Sequence, residues 1–410
     1  MNKQILIAIP CWGPSHTANL MELCLPSLFF NRNLEDWHGY QFTILIHSIH
    51  SDHTPIKNHD TYPAISAKTN FEFYRISANP FGSKYDLMAE CHKDAARIAR
   101  TAKCPLMIIP PDTFFHSHAM DAIKLKLDTQ APDAILVPTF RNIDRDIHSK
   151  LKFYEISDDL NDLAVTKNEI DFKKISDLTT KSLHPEMEKN FPEHPDFNPM
   201  SSGLPGGIIA FCGCKQPHFM TGYSGSWLPL YLGTNAIAST SDDDFIKPID
   251  VCLTPRIIGS SLTYVTVTPS DQFLIFSWSP TTHTHKSFGQ VVLKYLIPKA
   301  MLRSYLISNL LHRNKFQKVF TRPITILSDE KCPNTDEINV LSYIDRLLLE
   351  AREFKSKRPV LRLLIKMSFT VTHFICNRIR NFLPNVRLVF AAILFQKPAL
   401  EIIKKRIRIG

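Results

Sequence analysis

The chain has 410 residues, 44% of them hydrophobic and 21% charged, with a formal net charge of +9. That is enough apolar sequence for one large core or two ordinary ones, so disorder is not the default reading. The 13 glycines never fall into G-x-G-x-x-G or G-x-x-x-x-G-K-[ST], which excludes a dinucleotide fingerprint and a P-loop.

Lys3 to Pro10 (KQILIAIP) is a β-branched run ending in proline, and it predicts a buried strand. Its apolar stretch is too short for the core of a signal peptide. Asn19 to Phe30 has helical spacing, Gln41 to His47 (QFTILIH) predicts a second strand, and Phe71 to Ser77 a weaker third. A helix follows over Tyr85 to Ala102, then a strand over Pro105 to Pro110 (PLMIIP), a helix over Ala119 to Leu127 and a fifth strand over Ala134 to Pro138. Strands alternating with helices in this way predict an α/β class protein with a doubly wound, mostly parallel sheet.

From residue 144 to 199 the pattern loosens into polar sequence, read as an insertion. Gly203 to Pro217 returns as an apolar strand region, Asp242 to Pro248 reads as a loop, and Ser261 to Pro269 and Phe273 to Trp278 read as strands. The body is expected to span residues 1–299. Residues 300–410 are expected to form a helical basic tail, with helical spacing over Met301 to Lys318 and Asp336 to Lys355.

The charge is not evenly spread. Residues 351–410 hold 14 Lys+Arg against 2 Asp+Glu, whereas the preceding 350 hold 34 against 37. The whole basic excess therefore lies in the tail, which points to a polyanionic partner. Residues 359–410 mix large aliphatics and Phe with spaced Arg and Lys, the composition of an interfacial helix on an anionic membrane surface. Packed helices with a basic exterior are the plainer reading, and nucleic acid is disfavoured because the Arg/Gly or Tyr-rich interleaving of single-strand binders is missing. No stretch of eighteen uncharged apolar residues occurs. The nine cysteines are odd in number and scattered, so a reducing compartment is expected, with the protein cytoplasmic and peripheral on the inner face of the membrane.

Asp112 is the sharpest chemical signal, because a carboxylate directly after a buried strand sits at the carboxyl edge of the sheet, where open α/β folds bind ligands. In isolation it reads equally well as a helix cap. Asp242, Asp243 and Asp244 are crowded like charges that raise one another's pKa, as a general base for an acceptor hydroxyl requires, and they read equally as a solvated acidic turn. Arg141, after the fifth strand, has a guanidinium fork suited to a diphosphate. Tyr223 and Trp227 are aromatic candidates for stacking on a ligand ring, and a lone tryptophan reads more commonly as a core or rim residue. Cys212, Cys214 and His218 supply only three candidate ligands, so zinc is not expected.

Taken in order, Ile9-Pro10-Cys11-Trp12-Gly13, Leu25-Pro26-Ser27-Leu28 with Asn31 behind it, Ile108-Ile109-Pro110-Pro111-Asp112, and Ser241-Asp242-Asp243-Asp244-Phe245 resemble bacterial glycosyltransferases of the nucleotide-diphospho-sugar (GT-A) fold. The resemblance covers roughly the first 290 residues. It implies that Pro10, Cys11 and Trp12 seat the nucleoside of a nucleotide-sugar donor, and that Asp112 anchors the diphosphate through Mg²⁺ or Mn²⁺, with His283 or His285 as a late ligand. It further implies that His218 lies near a glycan or lipid-linked acceptor, and that one of Asp242 to Asp244 serves catalysis. The sequence departs from the family's Asp-x-Asp element, since Pro110 stands where the first acid belongs. Two rivals follow: a nucleotidyltransferase, disfavoured because the first loop is CWGPSHTAN rather than Gly-rich and basic, and a non-catalytic membrane-surface binding protein on a degenerate scaffold of the same fold.

Overall fold

The computed structural model describes residues 3–30, 32–34, 36–48, 53–77, 84–138, 140–142, 154–156, 165–167, 208–212, 219–224, 227–246, 249–268, 273, 275–278, 303–305, 307, 324–327 and 334–357. The first strand, β1 (Lys3–Pro10), is where the apolar run predicts it. Ile5, Ile7 and Ile9 on one side and Leu6 and Ala8 on the other are all buried. Burial on both faces is the mark of a parallel sheet with helices on each side.

Seven strands form the main sheet: β1, β2 (Tyr40–Ser48), β3 (Asn70–Arg75), β4 (Leu106–Ile108), β6 (Ala134–Pro138), β12 (Trp227–Leu232) and β13 (Tyr264–Thr266). Their order is β13-β6-β12-β4-β1-β2-β3. All run parallel except β12, which lies antiparallel between β4 and β6. This is the α/β, mostly parallel architecture that the alternation of strands and helices predicts. β12 itself is not predicted: Pro229 sits inside the WLPLYL strand, and a proline argues against a central position because it offers no N–H to the ladder. The register shifts between Pro229 and Tyr231, a bulge that accommodates the missing donor.

Helical chain covers the sheet. After the loop that follows β1, α1 (Pro14–Asn19), a π-helical turn (Leu20–Cys24) and α2 (Leu25–Phe29) run on from one another without interruption. α3 (Thr54–Lys57) and α4 (Tyr62–Ser66) lie between β2 and β3, and α5 (Lys84–Ala102) between β3 and β4. α5 buries Ala89, His92, Ala95, Ala96 and Ala99, a stripe of mostly small side chains at helical spacing. α6 (Ala119–Gln130) precedes β6, while α7 (Thr234–Ser239), a 3₁₀ turn (Asp242–Phe245) and α8 (Ile249–Gly259) join β12 to β13.

Three smaller sheets accompany the main one. β5 (Thr113–Phe115), β14 (Ile275–Trp278) and β7 (Phe140–Asn142) form one of them, with β14 in the middle. β10 (Ile208–Cys212), β11 (Phe219–Ser224) and β15 (Ile324–Leu327) form another. β8 (Tyr154–Ile156) pairs with β9 (Val165–Lys167) within the stretch read as an insertion, the rest of which lies outside the described residues.

The chain divides into two units. The first comprises Met1–His285 and Leu310–Asp345, and contains the sheets. The second comprises Lys286–Asn309 and Arg346–Gly410. Its described residues are helical, end with the second half of α9 (Asn334–Lys357), and bury Tyr305, Ile307, Leu347, Leu348, Ala351 and Phe354. No helix among the described residues is long and apolar enough to cross a membrane. The basic segment 359–410 lies outside the described residues.

Candidate functional site

The carboxyl ends of β4, β1, β2 and β3 share one edge of the main sheet because these strands are parallel. Register aligns their tips: Pro10 stands beside His47, and Ala8 beside Ile108, which places Pro10 level with Pro110. The ladder continues past the strands, with Cys11 N–H donating to His47 O (2.8 Å) and Ile109 N–H to Ala8 O (3.1 Å). The Pro10–Gly13 loop and the Asp112 turn therefore leave the sheet side by side.

Gly13 turns the first loop into α1 with φ 79° and ψ 161°, a region essentially reserved for glycine. The Thr17 N–H and hydroxyl both donate to Gly13 O (3.1 Å each). Cys11 is buried, and that burial pushes its thiol up to about 11 despite a hydrogen bond with Thr17, so it stays a neutral packing group. Trp12 is half-buried, its ring 5.4 Å from that of His16.

Asp112 does not cap a helix. It occupies the third position of a turn, Pro110-Pro111-Asp112-Thr113, closed by Thr113 N–H donating to Pro110 O (3.2 Å), after which the chain enters β5. Proline at the second position suits such a turn. Asp112 is half-buried. Burial, and next the charge of Asp112, push the Cys24 thiol far above its ordinary value, which sets that carboxylate close to the end of the π-helical turn.

The small sheet brings a third segment to this edge. In β14, Ser277 pairs with Thr113 of β5 on one side and with Arg141 of β7 on the other. Arg141 thus lies two strand spacings, about 10 Å of backbone, from the residue that follows Asp112. Its side chain is outside the described residues.

Behind the edge lies a polar cluster that the sequence reading does not single out. His47, the last residue but one of β2, is fully buried, with Nε2 3.2 Å from Asp94 Oδ2 and Tyr74 stacked on its face at 5.1 Å. The contact with His47 holds the Asp94 carboxyl below its ordinary range. His92, also buried, is lowered to about 3 by desolvation and then by the neighbouring charge of His47. The only available signal was a histidine ending an otherwise apolar strand.

The acidic run is placed elsewhere. The Asp242 carboxylate accepts from Arg97 and from Arg100 (3.0 Å) in the last two turns of α5, which lead to the amino end of β4. Those contacts, with Arg97 first, hold its carboxyl below the ordinary range. Asp244 closes a capping box with Ser241, accepting from its N–H (2.7 Å) and hydroxyl (3.1 Å), and is ion-paired with Arg256 of α8. Asp243 is exposed on the same turn. Asp242 and Asp244 anchor helices at the amino edge, and the turn that carries all three acids is not brought together with Asp112, because β12 runs backwards and delivers the following chain to the opposite edge of the sheet.

Trp227 is likewise not positioned for stacking on a ligand. It is 0% exposed within β12, so its ring is part of the core. Tyr223 lies on β11, paired with Ile209, with its side chain outside the described residues. His218, His283 and His285 lie outside the described residues altogether.

A cation bridging two phosphates uses one or two carboxylates and completes its coordination with phosphate oxygens and water. Asp112 fits that mode. Among the described residues there is no group of three or more His, Cys, Asp or Glu that could hold a metal ion.

No protein-family model and no curated protein sequence matches the chain. Among solved structures it is similar to TarS of S. aureus. Residues 1–349 of that protein in complex with UDP are 10% identical at a TM-score of 0.32, over 76% of this chain and 74% of that one. Residues 1–349 of TarS in a second structure are 12% identical at a TM-score of 0.36, over 84% and 81%. A further TarS structure is 11% identical at a TM-score of 0.32, over 78% of this chain and 44% of that one.

Proposed function

We propose that the chain is a glycosyltransferase that takes a nucleotide-sugar donor at the carboxyl edge of its main sheet and passes the sugar to a glycan or lipid-linked acceptor. The observation that carries this reading is the convergence of three separate segments on one edge: the Pro10–Gly13 loop, the Asp112 turn, and the strand bearing Arg141. Open α/β sheets bind their ligands there. The resemblance of the Pro10–Trp12 and Asp112 segments to GT-A enzymes gives the ligand its class.

In this reading Trp12 offers a ring face to the base, and Asp112 holds the diphosphate end through Mg²⁺ or Mn²⁺. A divalent cation so held neutralises the charge that develops on the departing nucleoside diphosphate. Arg141 adds a second cationic group at the same edge. The acceptor base is not drawn from Asp242 or Asp244, whose carboxylates are engaged in anchoring helices. The net charge of residues 351–410 supports recruitment to an anionic membrane face.

Titration calorimetry of UDP and GDP with and without Mn²⁺ tests the donor site. Asp112→Ala is expected to abolish the metal-dependent part of binding; identical binding by the variant refutes the reading. A second reading, a nucleotide-binding protein without transfer activity, is favoured by Pro110 in place of an acid and by the anchored state of Asp242 and Asp244. A donor screen reporting released nucleoside diphosphate separates the two.

A further inference from the structure

The segment that carries Asp112 is gripped from behind by small polar side chains from one stretch of chain. We propose that Cys24, Ser27 and Asn33 are positioning residues for the Asp112 turn, setting how tightly that turn takes a metal-bound nucleoside diphosphate. The proposal rests on the donor-binding reading above and goes beyond it by assigning the residues that shape the site without touching the ligand.

The grip begins with the π-helical turn. Leu25 N–H reaches back five residues to Leu20 O, so one extra residue is accommodated between α1 and α2. An added residue rotates all later side chains by about 100° around the helix axis. Widening also takes a carbonyl out of the regular ladder, and the buried Thr61 hydroxyl donates to Met21 O (3.0 Å). Such turns inside α-helices recur at functional sites.

The rotated face meets the Asp112 segment. Cys24 Sγ donates to Pro110 O (3.7 Å), two residues before Asp112. The Ser27 hydroxyl donates to Cys24 O (2.8 Å) and accepts from Phe115 N–H (3.2 Å), three residues after it. Asn33, fully buried, donates from Nδ2 to Ser27 O and to His116 O (2.8 Å each), while its Oδ1 accepts from Met120 N–H (2.9 Å). These bonds hold backbone on both sides of Asp112. Side chains that orient a metal ligand from behind influence affinity without contacting the metal.

The test is titration calorimetry of UDP with Mn²⁺ on the full chain, comparing the native sequence with Ser27→Ala, Ser27→Thr and Asp133→Asn. Asp133 belongs to a hydrogen-bond cluster at the opposite edge of the sheet, accepting from Thr263 N–H (2.9 Å) and hydroxyl (2.8 Å), and serves as the control for general loosening. Ser27→Ala is expected to weaken UDP–Mn²⁺ binding about tenfold, Ser27→Thr to restore it to within about twofold, and Asp133→Asn to leave it unchanged. If Ser27→Ala fails to fold, Cys24→Ala provides the same reading, with a weaker affinity expected. Native-like affinity in the folded Ser27→Ala or Cys24→Ala variant overturns the proposal, as does an equal loss in Asp133→Asn. A native chain that binds no UDP or GDP overturns the donor-binding reading itself, and the two failures are thereby distinguished.

Discussion

His92 should make the protein sensitive to acid well above the range in which carboxylates titrate. Its imidazole is 4% exposed, and Nδ1 has no hydrogen-bond partner. Burial lowers its pKa from 6.5 to about 3, with the charge of His47 adding to the effect. The unfolded chain therefore binds one more proton than the native state between these two values, and stability must fall as pH drops through that window. The difference of about 3.5 units corresponds to about 5 kcal/mol in full, of which about 2 kcal/mol is lost by pH 5 and about 3 kcal/mol by pH 4. Those losses are a large share of the 5–15 kcal/mol typical of a folded domain. The assay is urea unfolding at a series of pH values between 7 and 4, for the native sequence and for His92→Leu, which has similar size and no titrating group. The native protein should lose stability along this curve, while the variant should stay nearly flat until Asp94 and Asp242, both held below their ordinary range, begin to protonate. Equal slopes in the two proteins would refute the argument, whatever the absolute stability of the variant.

Two substitutions probe the frame of the site. Trp227→Ala empties a fully buried position in the central antiparallel strand and should cost about 3–5 kcal/mol, measured by chemical denaturation; a loss of acceptor use at unchanged stability would instead return Trp227 to a ligand-stacking role. Gly13→Ala meets no atom within 4 Å of the new Cβ, so its penalty comes from the backbone alone. It should destabilise by about 1–3 kcal/mol, read from the unfolding midpoint, and a neutral result would mean that the loop relaxes into another conformation.

The sequence was legible where burial alone decides structure. β1, β2, β6 and α5 lie where their apolar runs and helical spacing predict, because strands covered on both faces need nothing but hydrophobic residues. The position of Asp112 is legible for the same reason, since a carboxylate following such a run must emerge at the edge of the sheet. Elements governed by tertiary context were hidden. β12 carries a proline that only a bulge accommodates, and the π-helical turn between α1 and α2 has no periodic signature. Asn33 carries no sequence signal, because a single polar residue in a short connection gives no hint of three buried bonds. Charge density reads Asp242 and Asp244 as a poised base, and it does not reveal that Asp242 meets Arg97 and Arg100 of α5 or that Asp244 meets Arg256 of α8.

The backward strand β12 also imposes an order of assembly. β4 and β6 are separated by 25 residues, yet neither meets the other; each waits for a partner that begins at Trp227. Until the ribosome has delivered that strand, the half-sheet β4-β1-β2-β3 ends in an unsatisfied edge and β6 has no neighbour in its own sheet within the chain made so far, a state open to intermolecular pairing. β14 arrives later still, so the strand that stitches the Asp112 and Arg141 segments together is among the last to emerge. The carboxyl edge that carries Asp112 and Arg141 is thus completed only after the main sheet has closed, and a nascent chain arrested before residue 275 would carry that sheet without the strand joining the two segments.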